Sequence, residues 1–167
     1  MPPIPLLVNP VAGGGRALGL ARELEARLLL RGTPGVVRLT TGPGHARAVA
    51  AECAASGAPR VVACGGDGTL HEVAGGLAGS ETAMGVLPCG RGNDFAAALG
   101  LARDVDGVAR TAGEGAVRRV DVGTLNGRVF CTVAAIGFDA EVARHVAHGG
   151  GRAAGRWAYL LGALRKL

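Results

Sequence analysis

Lysine is almost absent from this sequence: Lys166 is the only one, and arginine supplies the rest of the 18 basic residues. A Walker A loop needs a Gly-Lys-Ser/Thr step, and a protein kinase needs a strand lysine on its phosphates. Both classes are therefore excluded, and a lysine Schiff base is equally disfavoured.

Aromatic residues make up only 3% of the chain, and no basic run is interleaved with aromatic side chains that could stack on bases. We therefore expect no nucleic-acid partner. The net charge of +5 favours anionic partners such as nucleotide phosphates or an acidic membrane surface, although a solvated, arginine-rich surface is the simpler explanation.

Zinc-binding and export signals are missing as well. Cys53, Cys64, Cys89 and Cys131 lie far apart and form no Cys-x-x-Cys pair, which predicts buried free thiols in a reducing compartment. Residues 1–8 have no basic segment before a long apolar run, so we expect no signal peptide. No stretch reaches about 18 apolar residues, the length of a transmembrane helix. The expected location is the cytoplasm, with peripheral membrane contact left open.

Short apolar runs alternate with helical patterns along most of the chain. The runs predict strands at 4–8, 36–40, 60–63 and 84–87. The periodic segments predict helices at 16–31, 44–56, 70–78, 93–99 and 104–112. Strands joined through helices predict an α/β fold, in which a parallel sheet is covered on both faces and ligands bind beyond the carboxyl ends of the strands.

The pattern changes near residue 115. Two β-like runs, 116–125 and 128–136, flank Asn126-Gly127, which is a strong hairpin signal. We therefore divide the chain into a nucleotide-binding α/β domain, 1–115, and the beginning of an incomplete β-rich domain, 116–167. Two further helices are predicted at 139–147 and 157–167.

The most informative motif, Cys64–Leu70, joins the third predicted strand to a helix. Its three glycines let the backbone approach a bulky anion, and the N-terminus of the next helix points free N–H groups at that anion. Asp67 would repel phosphates unless a divalent cation lay between them, so the motif predicts a magnesium–nucleotide site. A structural reading is also open, because Thr69 and Glu72 fit a capping box and His71 fits an exposed residue at the start of a helix.

A second glycine-rich turn, Leu87–Phe95, follows the fourth predicted strand. Asn93 would serve as the N-cap of the next helix, and Asp94 would complement the helix dipole. In a parallel sheet this turn would lie beside the first one, so that Asp94 approaches Asp67. Two carboxylates that converge on phosphates again indicate a metal, bound directly or through water.

Together these motifs resemble those of the diacylglycerol kinase catalytic-domain family of lipid kinases, which also includes sphingosine and ceramide kinases. Asn9–Gly13 is similar to the family's Asn-Pro-x-Ser/Ala-Gly turn, Gly65–Thr69 to its GGDGT signature and Pro88–Phe95 to its P-x-GT-x-NDFA segment. The opening of the family's second domain is similar to Arg119–Gly123 with Asn126 and to Ala135–Ala140. GGDGT alone also occurs in NAD kinases and some phosphofructokinases, whereas the ordered set is specific.

The resemblance implies ATP and Mg²⁺ as cofactors. The ATP site would be lined by Asn9, Pro10, Val11, Ala12, Gly13, Thr40, Gly66, Asp67, Gly68, Thr69, Leu70, His71 and Glu72. The catalytic acids that hold magnesium, directly or through water, would be Asp67, Asp94 and Asp121. Arg91 stands where the family often has threonine, and an arginine there could pair with a phosphate. The family's general base comes from a late part of its second domain and is expected beyond Leu167.

We therefore expect this chain to be the ATP-binding half of a lipid kinase. The enzyme would transfer the γ-phosphate of Mg-ATP to a lipid hydroxyl at the inner membrane surface, and the chain alone should bind nucleotide better than it turns it over. Two alternatives stay open: an NAD-kinase-like enzyme, and a non-catalytic nucleotide-binding remnant. The sequence decides neither the lipid acceptor nor whether the chain forms a homodimer.

Overall fold

The computed structural model describes residues 2–133. The chain separates into two compact units, Met1–Thr132 and Val133–Leu167, and the described helices and strands all lie in the first. The predicted helices at 139–147 and 157–167, and the resemblance over Ala135–Ala140, fall outside the described residues.

Strands and helices alternate along the described chain. The strands are β1 Ile4–Val8, β2 Gly35–Leu39, β3 Arg60–Gly65, β4 Ala83–Pro88, β5 Gly123–Leu125 and β6 Arg128–Phe130. The α-helices are α1 Ala17–Leu30, α2 His45–Ala55, α3 Asp67–Leu77, α4 Asp94–Ala98 and α5 Val105–Glu114. A short 3₁₀ turn, Ala12–Gly15, lies between β1 and α1. The predicted α/β order is confirmed.

The first four strands form one parallel sheet in the order β2-β1-β3-β4. Because successive side chains of a strand point to opposite faces, β1 feeds two separate cores. Leu6 and Val8 pack with α1 and α5, whereas Leu7 packs with α2 and α3 on the other face. The sheet is therefore covered on both faces, as predicted.

The strand order reverses between β1 and β3. From β1 the chain moves outward to β2 and then returns to the other side of β1 to form β3. In open parallel sheets the loops that leave two such strands diverge and form a crevice in which ligands bind. The loops after β1 and β3 are the two that carry the Asn9–Gly13 and Gly65–Thr69 motifs.

Three elements, α3, β5 and β6, have a boundary that differs from the prediction by three residues or more. Helix α3 begins at Asp67 instead of residue 70, because the extended backbone of Gly66 leads directly into it. The hairpin turn at Asn126 and Gly127 is confirmed, with the positive φ angles of 50° and 73° that a tight turn needs. Its strands, however, have three residues each, and residues 116–122 are exposed and irregular. A strand extends only as far as it has a partner to pair with, and β5 and β6 pair with each other alone among the described strands.

Among residues 2–133, no helix combines the length and the apolar character needed to cross a lipid bilayer.

Candidate functional site

Three loops meet at the carboxyl edge of the sheet, and their backbones touch: the β1–α1, β3–α3 and β4–α4 loops. The Asn9 N–H donates to the Cys64 carbonyl at 3.0 Å, and the Cys89 N–H donates to the Gly65 carbonyl at 2.8 Å. A methyl group on Gly90 would lie 2.6 Å from the Gly66 Cα, and one on Gly13 would strike the Cys89 carbonyl oxygen. Glycine is required at these positions because any side chain would push the loops apart.

Asn9 fixes the first loop to the third helix. Its Nδ2 donates to the Thr69 Oγ1 at 3.2 Å, and its Oδ1 accepts from the Val11 N–H at 3.2 Å. Thr69 is itself buried against Gly65, where a methyl group would clash with it. The first residue of the Asn-Pro motif therefore determines where the β1–α1 loop lies relative to α3.

Asp67 links the two glycine-rich turns that the sequence places apart. Its carboxylate accepts from the Asn93 N–H at 2.8 Å and from the Phe95 N–H at 3.4 Å, both at the start of α4. Asn93 occupies the N-cap position with φ 56°, but its side chain bonds back to both backbone groups of Gly90. Asn93 is therefore the N-cap residue of α4, as expected, but the side-chain cap comes from Asp67.

The expected approach of Asp94 to Asp67 is present. A methyl group on Gly92 would lie 3.0 Å from one Asp67 oxygen and 3.5 Å from both Asp94 oxygens, so the two acids flank this glycine. Asp121 is exposed in the irregular segment before β5. Within residues 2–133 no three His, Cys, Asp or Glu side chains form a group that could hold a metal ion. The metal-binding role of the three aspartates stays a prediction.

Glu72 caps a neighbouring helix instead of its own. Its carboxylate accepts from the Gly44 N–H at 2.8 Å and from the Ala46 N–H at 3.2 Å, at the N-terminus of α2. Thr69, the other half of the expected capping box, lies inside α3, whose N-cap Gly66 makes no side-chain bond. The capping-box reading is wrong because the helix begins two residues before Thr69.

The two acids of α3, Asp67 and Glu72, therefore cap two neighbouring helices but not α3 itself. Helices α2 and α4 receive carboxylates from α3 at their first N–H groups. Within the described residues, no side chain caps α1 or α3, the helices that follow the two strands beside the switch in strand order. The first N–H groups of a helix have no intrahelical acceptor. Those of α3 are available to an external anion, whereas α1 continues from the 3₁₀ turn, in which the Arg16 N–H donates to the Ala12 carbonyl.

The other predicted ATP-site residues differ in exposure. Leu70 is fully buried in the core, so only its backbone can serve the site. Thr40 follows β2, is buried, and donates its N–H to the Val8 carbonyl at 2.8 Å. His71 is half-buried, with its Nε2 3.5 Å from the Thr132 hydroxyl. The loop residues Pro10 and Ala12 are half-buried, and Val11, Gly68 and Arg91 are exposed.

Sequence reasoning missed Arg16. Its Nε donates to the Gly13 carbonyl at 2.9 Å, which holds the side chain against the first glycine loop. The signal was its place directly after three consecutive glycines at the start of a helix.

The cysteines are structural. Cys53, Cys64 and Cys89 are buried free thiols, as predicted, and Cys131 is half-buried. Burial raises the pKa of Cys89 to about 11, although the charge of Arg16 acts in the opposite direction. Burial, with Cys89 nearby, also raises the pKa of Cys64 well above its usual value. Neutral buried thiols are poor nucleophiles, so neither is a catalytic candidate.

Comparison with known proteins agrees with this geometry. The protein-family model of the diacylglycerol kinase catalytic domain matches residues 3–125 of this chain. A protein of Chromohalobacter salexigens named "Probable lipid kinase YegS-like" is 42% identical over 134 residues, which cover 78% of this chain and 43% of that protein. The diacylglycerol kinase of Mycobacterium tuberculosis is 37% identical over 143 residues, covering 81% and 46%.

A solved structure has the same fold. The crystal structure of a diacylglycerol kinase from Bacillus anthracis superposes with a TM-score of 0.66 at 30% identity, over 77% of this chain and 45% of that one. The fold and site define a parallel α/β protein with a glycine-lined crevice at the carboxyl edge of its sheet. The chain belongs to the diacylglycerol kinase catalytic-domain family. It spans less than half the length of these relatives.

Proposed function

We propose that this chain carries the Mg-ATP-binding part of a lipid kinase, which transfers the γ-phosphate of ATP to a lipid hydroxyl at the inner membrane surface. The relatives named lipid kinase and diacylglycerol kinase support the reaction class. The observation that supports the proposal is the uncapped N-terminus of α3, which follows β3 beside the switch in strand order, where the backbones of the three loops touch. An anion with several phosphates is the ligand that such ends bind.

The residues present fit a magnesium ion beside those phosphates. Asp67 and Asp94 flank Gly92 and offer the carboxylate oxygens that this hard cation prefers. They would hold it together with water, and Asp121 stays the predicted third acid. When bound, the metal would offset phosphate charge and polarise the phosphoryl oxygens. Asn9, Thr69 and the three glycine turns would position the nucleotide, since placement supplies most of the catalysis in phosphoryl transfer.

The binding half of the proposal is tested by calorimetry on this chain. We expect Asp67→Asn to weaken Mg-ATP binding tenfold or more, but not to weaken binding of metal-free ATP, because the lost carboxylate repels bare phosphates. Asp106→Asn is the matched control: Asp106 is exposed on α5, pairs with Arg27 at 3.3 Å, and lies in none of the three loops. Absence of Mg-ATP binding in the wild-type chain would overturn the proposal.

The transfer half requires the longest protein that the gene encodes, incubated with γ-labelled ATP and mixed-lipid vesicles. Label in a lipid supports the proposal. Label in NAD and in no lipid class would replace it with the NAD-kinase-like alternative.

A further inference from the structure

Arg16 occupies the junction of two of the three loops. It is exposed, and the bond from its Nε to the Gly13 carbonyl at 2.9 Å uses one donor of the guanidinium group. Gly13 in turn packs against the Cys89 carbonyl, so the side chain lies where the β1–α1 loop meets the β4–α4 loop. The guanidinium group has four further N–H donors that this bond does not use.

Among residues 2–133, few cationic side chains belong to the loops that form this crevice. Lys166 is the sole lysine of the chain and lies outside the described residues. Of the arginines in residues 2–133, only Arg16 and Arg91 lie in the three loops that meet there. Several others form ion pairs elsewhere, as Arg22 does with Glu25 at 2.8 Å and Arg38 with Glu52 at 3.1 Å.

Arg16 has a different electrostatic setting. No carboxylate among the described residues pairs with it, although the same helix supplies acids to Arg22 and Arg27. Its charge is felt across the junction, because it lowers the pKa of Cys89 against the larger effect of burial. A guanidinium group that is held at one nitrogen and faces no acid of the described chain can bind an oxyanion with its remaining donors.

We propose that Arg16 is a phosphate-binding residue that contacts the phosphate chain of the nucleotide. It would supply the positive charge that a lysine supplies in other phosphate-binding loops. The inference rests on the proposed function, because it assumes a nucleotide at this crevice. It adds a cation that the glycine and aspartate motifs do not supply, and it assigns that cation to the side of the crevice formed by the first loop.

The test compares Arg16→Gln with Arg22→Gln, a matched change on the same helix at an exposed arginine away from the loops. Binding of Mg-ATP and of adenosine is followed by NMR titration, in which the dispersed spectrum also reports whether each variant is folded. We expect Arg16→Gln to raise the Kd for Mg-ATP about tenfold, the loss of one charge-assisted contact, and to change the Kd for adenosine less than twofold. Arg22→Gln should change neither.

The outcomes separate the two proposals. If the wild type binds Mg-ATP and Arg16→Gln binds it equally well, the inference about Arg16 is overturned and the proposed function stands. Equal weakening of Mg-ATP and adenosine would also overturn the inference, because it indicates a disturbed loop instead of a lost phosphate contact. If the wild type does not bind Mg-ATP, both proposals fall.

Discussion

Removal of the Glu72 carboxylate should destabilise the protein even when no nucleotide is present. The side chain crosses from α3 to the start of α2, where the N-cap residue, Gly44, has no side chain with which to cap the helix. Glu72→Ala would leave the N–H groups of Gly44 and Ala46 without their acceptor. Glu72→Gln would keep one carbonyl oxygen but lose the charge.

The size of the effect follows from the exposure of the two donors. Gly44 is exposed, so its N–H can bond to water instead, and losing its hydrogen bond to Glu72 costs little stability. Ala46 is buried, and losing a hydrogen bond to a charged group at such a site costs about 1.5 kcal/mol or more. Together the two lost hydrogen bonds lower the free energy of unfolding of Glu72→Ala by about 2 kcal/mol, at the upper end of the range for helix caps. For a chain of this size that lowers Tm by roughly 4–8 °C. Glu72→Gln should lose about half as much.

The assay is thermal denaturation followed by circular dichroism, with amide exchange at Ala46 as a local probe. The control is Glu23→Ala, which removes an exposed helical glutamate whose only described partner is Arg27 at 3.5 Å. Such surface pairs contribute about 0–1 kcal/mol. If the Tm of Glu72→Ala falls within about 1 °C of this control and the exchange rate at Ala46 is unchanged, the capping argument is wrong. The contact of Glu72 with ATP stays a separate prediction, since nucleotide is absent from this measurement.

Two further predictions concern the loop junction. Gly13→Ala should lower the free energy of unfolding, measured by urea titration, more than Gly14→Ala does. Both residues have positive φ, but only Gly13 faces the Cys89 carbonyl. Equal losses of stability would argue against the close loop contact. The pKa of Cys89 is about 11 in the folded chain against an ordinary value of 9.0, so its contribution to stability is complete below pH 9 and is lost as the pH rises towards 11. Between pH 8 and 10.5 the wild type should therefore lose about 2 kcal/mol more stability than Cys89→Ala, and parallel pH profiles would contradict this.

The sheet was predictable because its strands are short, continuous apolar runs. Ile4–Val8 is buried on both faces, and a central strand of this kind has sharp ends in the sequence. The turn at Asn126-Gly127 was equally clear, because the backbone demands residues that tolerate positive φ. The lengths of β5 and β6 were not predictable, since alternation shows that a segment can pair but not whether a partner lies beside it.

The candidate site was also predictable only in part. The approach of Asp94 to Asp67 followed from topology, because loops at the carboxyl edge of neighbouring parallel strands must lie side by side. The capping pattern did not follow. A capping box is read over four residues, whereas Glu72 bonds to N–H groups 26 and 28 residues away. Local pattern finds a residue that can cap a helix, and only tertiary packing decides which helix it caps.

The contacts of Asp67 explain how an acid can lie in the proposed phosphate-binding crevice. A free carboxylate there would oppose phosphate binding, yet this one already accepts the Asn93 and Phe95 N–H groups and so meets positive dipoles at its own oxygens. Part of its charge is thereby offset by backbone N–H groups alone, and its position is fixed by the loop that carries Asp94. The same bonds satisfy α4 and leave the end of α3 uncapped. One side chain thus joins the second glycine turn to the first, while no described side chain caps the first N–H groups of α3, which the proposed phosphates would contact.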